Sequence, residues 1–233
     1  MMNYKLLDYV QSTHSKYITG DFSHYLYGFV KMMKPKVVVE FGTGYGTTAF
    51  LTAQALKENV YGQLYTIDDG SWWHETNPPQ SDYESFINDK IIEFGLDVNL
   101  NFYNKTLDFK SFEPFNDIQK IDILFNDIDC NPEYIVYTLA WLMPKVREDK
   151  PCYFFIDGAA TYWPAYSMLE MLIKSLNEKN VPKKMLDFVE DKELLYESLR
   201  NKVFTLVHFK KDEDSAQNGF SMIKIENKNV EIR

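Results

Sequence analysis

Acidic side chains stand where the short apolar runs of this 233-residue chain stop. Glu40 follows Val37-Val38-Val39, Asp68 and Asp69 follow the run QLYTI, Asp127 and Asp129 come just after IDILF, and Asp157 follows CYFFI. A carboxylate placed at the end of a buried strand needs a cation or hydrogen-bond donors to justify it. Immediately after the first acid, glycines alternate at Gly42, Gly44 and Gly46. An apolar run, a glycine-rich turn and a helix start make the layout of a nucleotide-type site in a doubly wound sheet, because glycine lets a ligand approach the backbone. The spacing is G-x-G-x-G, whereas a nicotinamide dinucleotide turn uses G-x-G-x-x-G. Asp68 lies 22 residues beyond Gly46 (68 minus 46), the reach at which an acid meets ribose hydroxyls; Asp69 competes for that place.

The later acids suggest a second chemistry. Asp127 and Asp157 offer oxygen ligands to a hard cation such as Mg²⁺. Asp129 precedes a helical segment and is equally suited to capping it. His74, in the loop GSWWHETNPPQSD, is a candidate general base near pH 7. Trp72 and Trp73 beside it are candidates for an aromatic lid, or for packing on the core.

These side chains need a scaffold, and the hydrophobic periodicity supplies one. Residues 1–34 read as mainly helical, with apolar positions at Tyr25, Leu26, Phe29, Val30 and Met33, stopped by Pro35. Strands are expected at 37–41, 63–67, 98–103, 121–125 and 152–156. Helices are expected at 47–58, 83–94, 133–146 and 164–176, with Gly95 as a C-cap. Residues 180–201 are charged and fit no clear element. Two alternating runs, 203–209 and 220–225, flank KKDEDSAQNG and read as a β-hairpin. Five β-α units followed by a hairpin predict one α/β fold: a doubly wound, Rossmann-like sheet of seven strands, mostly parallel, with a C-terminal antiparallel hairpin. The organisation expected is an N-terminal helical cap over 1–35 and a single globular domain over 36–233. Such sheets bind ligands outside the carboxyl ends of their strands, where the acids lie.

Composition narrows the partners. The net charge of −9 argues against a nucleic-acid or anionic-membrane partner. The aromatic share of 16% fits a Phe/Tyr-packed core and also an aromatic-lined small-molecule pocket. Cys130 and Cys152 have no metal-site spacing and make no disulfide framework, and no apolar stretch is long enough to span a bilayer. A cytoplasmic location is expected.

The stretch E-F-G-T-G-Y-G (Glu40–Gly46), followed by an acid at Asp68, resembles the S-adenosylmethionine (SAM) site of class I methyltransferases. The segment FNDIDCNPEY (Phe125–Tyr134) is similar to the F-[IV]-D-x-D-[HK] segment of small-molecule O-methyltransferases of the catechol, caffeoyl-coenzyme A and macrocin-modifying kinds. The resemblance covers roughly residues 36–226, and the terminal hairpin fits it. It implies a SAM-dependent methyltransferase acting on a small molecule at oxygen, with a divalent cation such as Mg²⁺ assisting and a homodimer as a further expectation. By position it implies Glu40 at the cofactor's amino group, Gly42, Thr43 and Gly44 at its methionine end, Asp68 at the ribose, and Thr106 and Leu107 by the adenine. Asp127 would serve the cofactor site, catalysis and, with Asp157, the metal; His74 would be the base in a metal-free version. The chain has Asp157-Gly158 where metal-dependent relatives often carry Asp-Asn, and Cys130 where they carry His or Lys. Two rival readings are an NAD-linked oxidoreductase and a catalytically silent binding module on the same fold.

Overall fold

Three consecutive β-branched valines favour extended backbone, and β1 (Val37–Phe41) forms there with its last four residues buried. The computed structural model describes residues 3–13, 20–71, 79–210 and 219–228. Its seven strands form one mostly parallel mixed sheet, as the sequence predicts, in the order β3-β2-β1-β4-β5-β7-β6. The chain divides into two units, Met1–Leu107 and Asp108–Arg233.

In the first unit, β1, β2 (Gln63–Asp68) and β3 (Leu100–Asn104) pair in parallel, with Glu40 opposite Thr66. Helix α3 (Thr47–Glu58) is buried from Thr47 to Leu56, because Ala49, Ala53 and Ala55 allow close approach on every side. Two further helices precede the sheet, α1 (Tyr4–Thr13) and α2 (Gly20–Met33). Helix α2 lies on α3: the hydroxyls of Ser23 and Thr48 meet at 2.8 Å, and Asn59 Nδ2 donates to the Val30 carbonyl. Helix α4 (Tyr83–Phe94) ends at Gly95, whose positive φ of 63° makes it the expected left-handed cap. The chain then takes a further turn, with the Asn99 and Leu100 amides bonded to the Leu96 carbonyl. Strand β3 therefore starts two residues later than the alternation suggests, and Val98 is left exposed.

In the second unit, β4 (Ile123–Asn126) pairs in parallel with β5 (Cys152–Asp157). Strand β7 (Gly219–Asn227) runs antiparallel to β5 and to β6 (Lys202–Lys210), which is the predicted hairpin. Ile121 makes only an isolated bridge to Val146, so β4 begins later than expected. Helix α5 (Pro132–Leu142) gives way to a 3₁₀ turn at Met143–Lys145, because Pro144 has no amide to donate. Helix α6 (Trp163–Asn177) follows β5, and the charged stretch resolves into α7 (Lys183–Phe188) and α8 (Lys192–Leu199). One expectation fails: β3 is followed by a 3₁₀ turn (Phe115–Asp117) and no α-helix, so four strands rather than five lead into one. Aromatic side chains occupy that connection instead. Phe109 stacks on Tyr134 of α5 at 4.4 Å, and Phe112 on Trp141 at 4.8 Å.

Candidate functional site

Glu40, the penultimate residue of β1, has 2% of its surface exposed. Its Oε2 accepts a 2.6 Å hydrogen bond from the Thr66 hydroxyl, which also lies 2.6 Å from the hydroxyl of Thr43. No cation pairs with Glu40 among the described residues. Burial pushes its carboxyl up to about 8; the Thr66 hydroxyl pulls it down and the Asp68 charge adds to the rise. The parallel register places Thr66 beside Glu40, so a buried polar residue within QLYTID was the signal that could have found it.

Asp68, at the end of β2, ties two loops together. Its Oδ2 accepts from the Gly44 amide and its Oδ1 from the Gly70 amide, both at 2.8 Å. Burial raises its pKa against these hydrogen bonds. Asp69 behaves differently. Burial pushes it upward, but the hydroxyls of Thr106 and Ser71 and the Ser71 amide outweigh this and hold it below the usual carboxylate range. Asp68 is thus anchored to the glycine turn and Asp69 to Thr106, at 2.7 Å. Leu107, next to Thr106, is buried.

The glycine turn has the conformation its sequence requires. The Gly42 amide donates to the Ile67 carbonyl, and Gly46 caps α3 with φ 79°. A Cβ added at Gly46 would lie 2.3 Å from the Phe50 ring, whereas one at Gly44 would meet nothing within 4 Å. The turn is closed toward its own helix and open at Gly44. Tyr83, which the sequence reading did not single out, donates from its hydroxyl to the Gly44 carbonyl at 2.7 Å. Glu40, Gly42, Thr43, Gly44, Asp68 and Thr106 therefore come together in the first unit, with the amide-rich N-terminus of α3 beside them.

The second unit holds the other acids. Asp157 is largely buried, in hydrogen-bond contact with exposed Asp127, and its Oδ1 has no partner among the described residues. Burial pushes its carboxyl up to about 6, against the hydrogen bonds from Asp127 and the Gly158 amide. No group of three or more His, Cys, Asp or Glu side chains able to hold a metal occurs among the described residues. Mg²⁺ commonly takes only one or two carboxylates and fills its shell with water and substrate oxygens, so the Asp127–Asp157 pair, with its orphaned oxygen, fits that smaller requirement. Asp129 is structural: its Oδ1 accepts from the Asn131 amide at 2.7 Å, and Asn131 caps α5 by accepting from the Glu133 amide. Cys130 lies near Gly158. Burial raises its thiol pKa, with Asp129 and Asp157 adding to the rise. Trp72, Trp73 and His74 lie outside the described residues.

Residues 39–152 match a family model described as a methyltransferase domain. No curated protein matches the chain. Among solved structures, the chain is similar to the O-methyltransferase TomG of Streptomyces achromogenes, involved in tomaymycin synthesis and crystallised with SAM: 14% identity, TM-score 0.57, 97% of this chain and 92% of that one. An O-methyltransferase from Bacillus cereus, in complex with S-adenosylhomocysteine (SAH), aligns at 11% identity and TM-score 0.57, over 95% of this chain and 89% of that one. A methyltransferase from Geobacter sulfurreducens aligns at 12% identity and TM-score 0.54, over 95% and 87%. At such identities the structural likeness is one of fold. The chain is thus similar to a methyltransferase domain over residues 39–152, just under half of its length, and its seven-stranded sheet has the fold of solved methyltransferases.

Proposed function

We propose that this protein is a SAM-dependent methyltransferase that methylates a small molecule, at oxygen. The observation that carries the reading is the cradle of the first unit: an open glycine turn fastened to Asp68, beside the buried acid Glu40. The two similar O-methyltransferases crystallised with SAM or SAH support the cofactor. In this reading Glu40 receives the cofactor's ammonium group, and Gly42, Thr43 and Gly44 follow its methionine end. Asp68 takes the ribose hydroxyls on lone pairs that the loop amides leave free, while Thr106 and Leu107 border the adenine. Residues 36–233 act as one catalytic domain with 1–35 as its helical cap.

The transfer is an in-line displacement. The acceptor oxygen forms the new C–O bond, the sulfonium sulfur keeps the electron pair of the broken S–C bond, and the acceptor's proton leaves. The donor is already activated, so the protein supplies orientation and a proton sink. Asp127 and Asp157 would hold a divalent cation such as Mg²⁺, which would lower the pKa of the acceptor hydroxyl. Asp127 takes part in proton removal, and His74 is the base if no cation is used. Exposed Trp163, stacked on Tyr166 at 5.7 Å, and half-exposed Tyr162 are the acceptor-facing aromatics of this proposal.

The net charge of −9 disfavours a nucleic-acid acceptor. Both cysteines are free, and no helix among the described residues is long and apolar enough to cross a membrane. We place the protein in the cytoplasm and propose a homodimer. A thermal-shift series tests the function: SAH raises the melting temperature and NADH does not. The reverse result would return the chain to the oxidoreductase reading.

A further inference from the structure

Two tyrosine hydroxyls reach consecutive carbonyls of the glycine turn from helices outside the β1–α3 unit. Tyr83, the first residue of α4, donates to Gly44 O, and Tyr9 of α1 donates to Tyr45 O, each at 2.7 Å. Tyr83 is 1% exposed. Its ring sits over Gly70, where an added Cβ would come within 2.5 Å of it, and meets Phe102 edge-on at 5.8 Å. Gly70 is the residue whose amide Asp68 accepts, so the Tyr83 side chain and the Asp68 carboxylate join the same two loops by separate routes. Tyr9 is fixed as firmly. Its ring packs 5.9 Å from Phe50 and 5.5 Å from Phe94, and Lys90 Nζ lies 5.3 Å from its centre. Leu6 and Val10 bury the rest of that face of α1.

A turn carrying three glycines in five residues has little torsional preference of its own, and ordering it on binding costs affinity. Hydroxyls that hold its carbonyls beforehand remove part of that cost. We propose that Tyr9 and Tyr83 are positioning residues that hold the glycine turn in its cofactor-receiving form, which makes the N-terminal helix α1 part of the cofactor site. The proposal rests on the methyltransferase reading above. Both tyrosines keep their protons, because burial drives their pKa values upward, and so both remain donors at working pH.

The test uses the full-length protein with Tyr9→Phe, Tyr83→Phe and the double variant, which keep the rings and remove only the hydroxyls. Tyr61→Phe is the control, since the Tyr61 hydroxyl donates to the Lys34 carbonyl, away from the turn. Calorimetric titration with SAH should show each single variant weakened by about three- to tenfold. The double variant should lose more than the product of the two, because either hydroxyl partly restrains the same turn. Amide exchange over residues 42–47 should quicken in the unliganded variants, and the control should match wild type in both readouts. Unchanged SAH affinity in both tyrosine variants, even with lowered melting temperatures, would confine the hydroxyls to stability and overturn the proposal. Wild type that bound no SAH would instead defeat the functional reading, while the exchange rates would still judge the clamp.

Discussion

Glu40 and Thr66 face each other across β1 and β2, and the threonine hydroxyl donates to the carboxyl at 2.6 Å. One neutral hydroxyl does not compensate a buried carboxylate that also feels Asp68, so Glu40 is held as an acid until about pH 8. Between its ordinary pKa and that value, the folded protein binds more protons than the unfolded chain. By linkage, stability of the unliganded protein then falls as pH rises, by up to about 1.4 kcal/mol per pH unit for this one group. Glu40→Gln removes that slope. Melting curves from pH 5 to 8.5 should show the variant gaining on wild type as pH increases; parallel curves would count against the protonated Glu40.

The same group predicts how ligand affinity responds to pH. An ammonium group placed against Glu40 favours the carboxylate, so SAH binding releases a proton and tightens as pH climbs toward 8. Titrations in two buffers of different ionisation enthalpy measure the proton directly. Methylthioadenosine, which lacks the amino acid end, should release none.

Two glycines of one turn should fail differently. Gly46→Ala puts a methyl group into the Phe50 ring at a left-handed residue, and should cost about 3 kcal/mol or more in a denaturant melt. At Gly44 a methyl group meets nothing within 4 Å. Gly44→Ala should cost only about 1 kcal/mol of stability, yet weaken SAH by at least about tenfold if the cofactor lies there.

The acidic pair of the second unit is separable from the cradle. Asp157→Asn should leave SAH affinity within about twofold of wild type while abolishing the stimulation of methyl transfer by Mg²⁺. Enzyme stripped with EDTA should regain its rate on Mg²⁺ addition. Equal rates with and without the cation would remove the metal from the mechanism and leave proton removal to Asp127 and His74.

Much of the fold was legible because it rests on local chemistry. Three valines, an acid and alternating glycines dictate a strand running into a tight turn, and Gly95 ends α4 as its type requires. The alternating runs around a polar loop specify the terminal hairpin. Boundaries were less legible where a competing local turn or tertiary neighbours decided them. Val98 alternates correctly for a strand, but the turn back to Leu96 takes its place. The connection after β3 carries aromatic side chains that pack against α5 in place of a helix.

The acids of the candidate site were readable as types, and their company was not. Sequence alone determined that Glu40 and Asp68 flank a strand–glycine-turn segment and that Asp127 and Asp157 follow later apolar runs. It also determined the cofactor class that such a turn suggests. Only the tertiary structure decided that Asp68 is fastened to Gly44 while Asp69 answers to Thr106, which no spacing rule separates. It also brought Thr66 to Glu40, and Tyr9 and Tyr83 to the turn, from positions 26, 36 and 39 residues away. Such hydrogen bonds join residues remote in sequence and leave no local pattern, so they exist for a reader only once the strands are in register and the helices are packed.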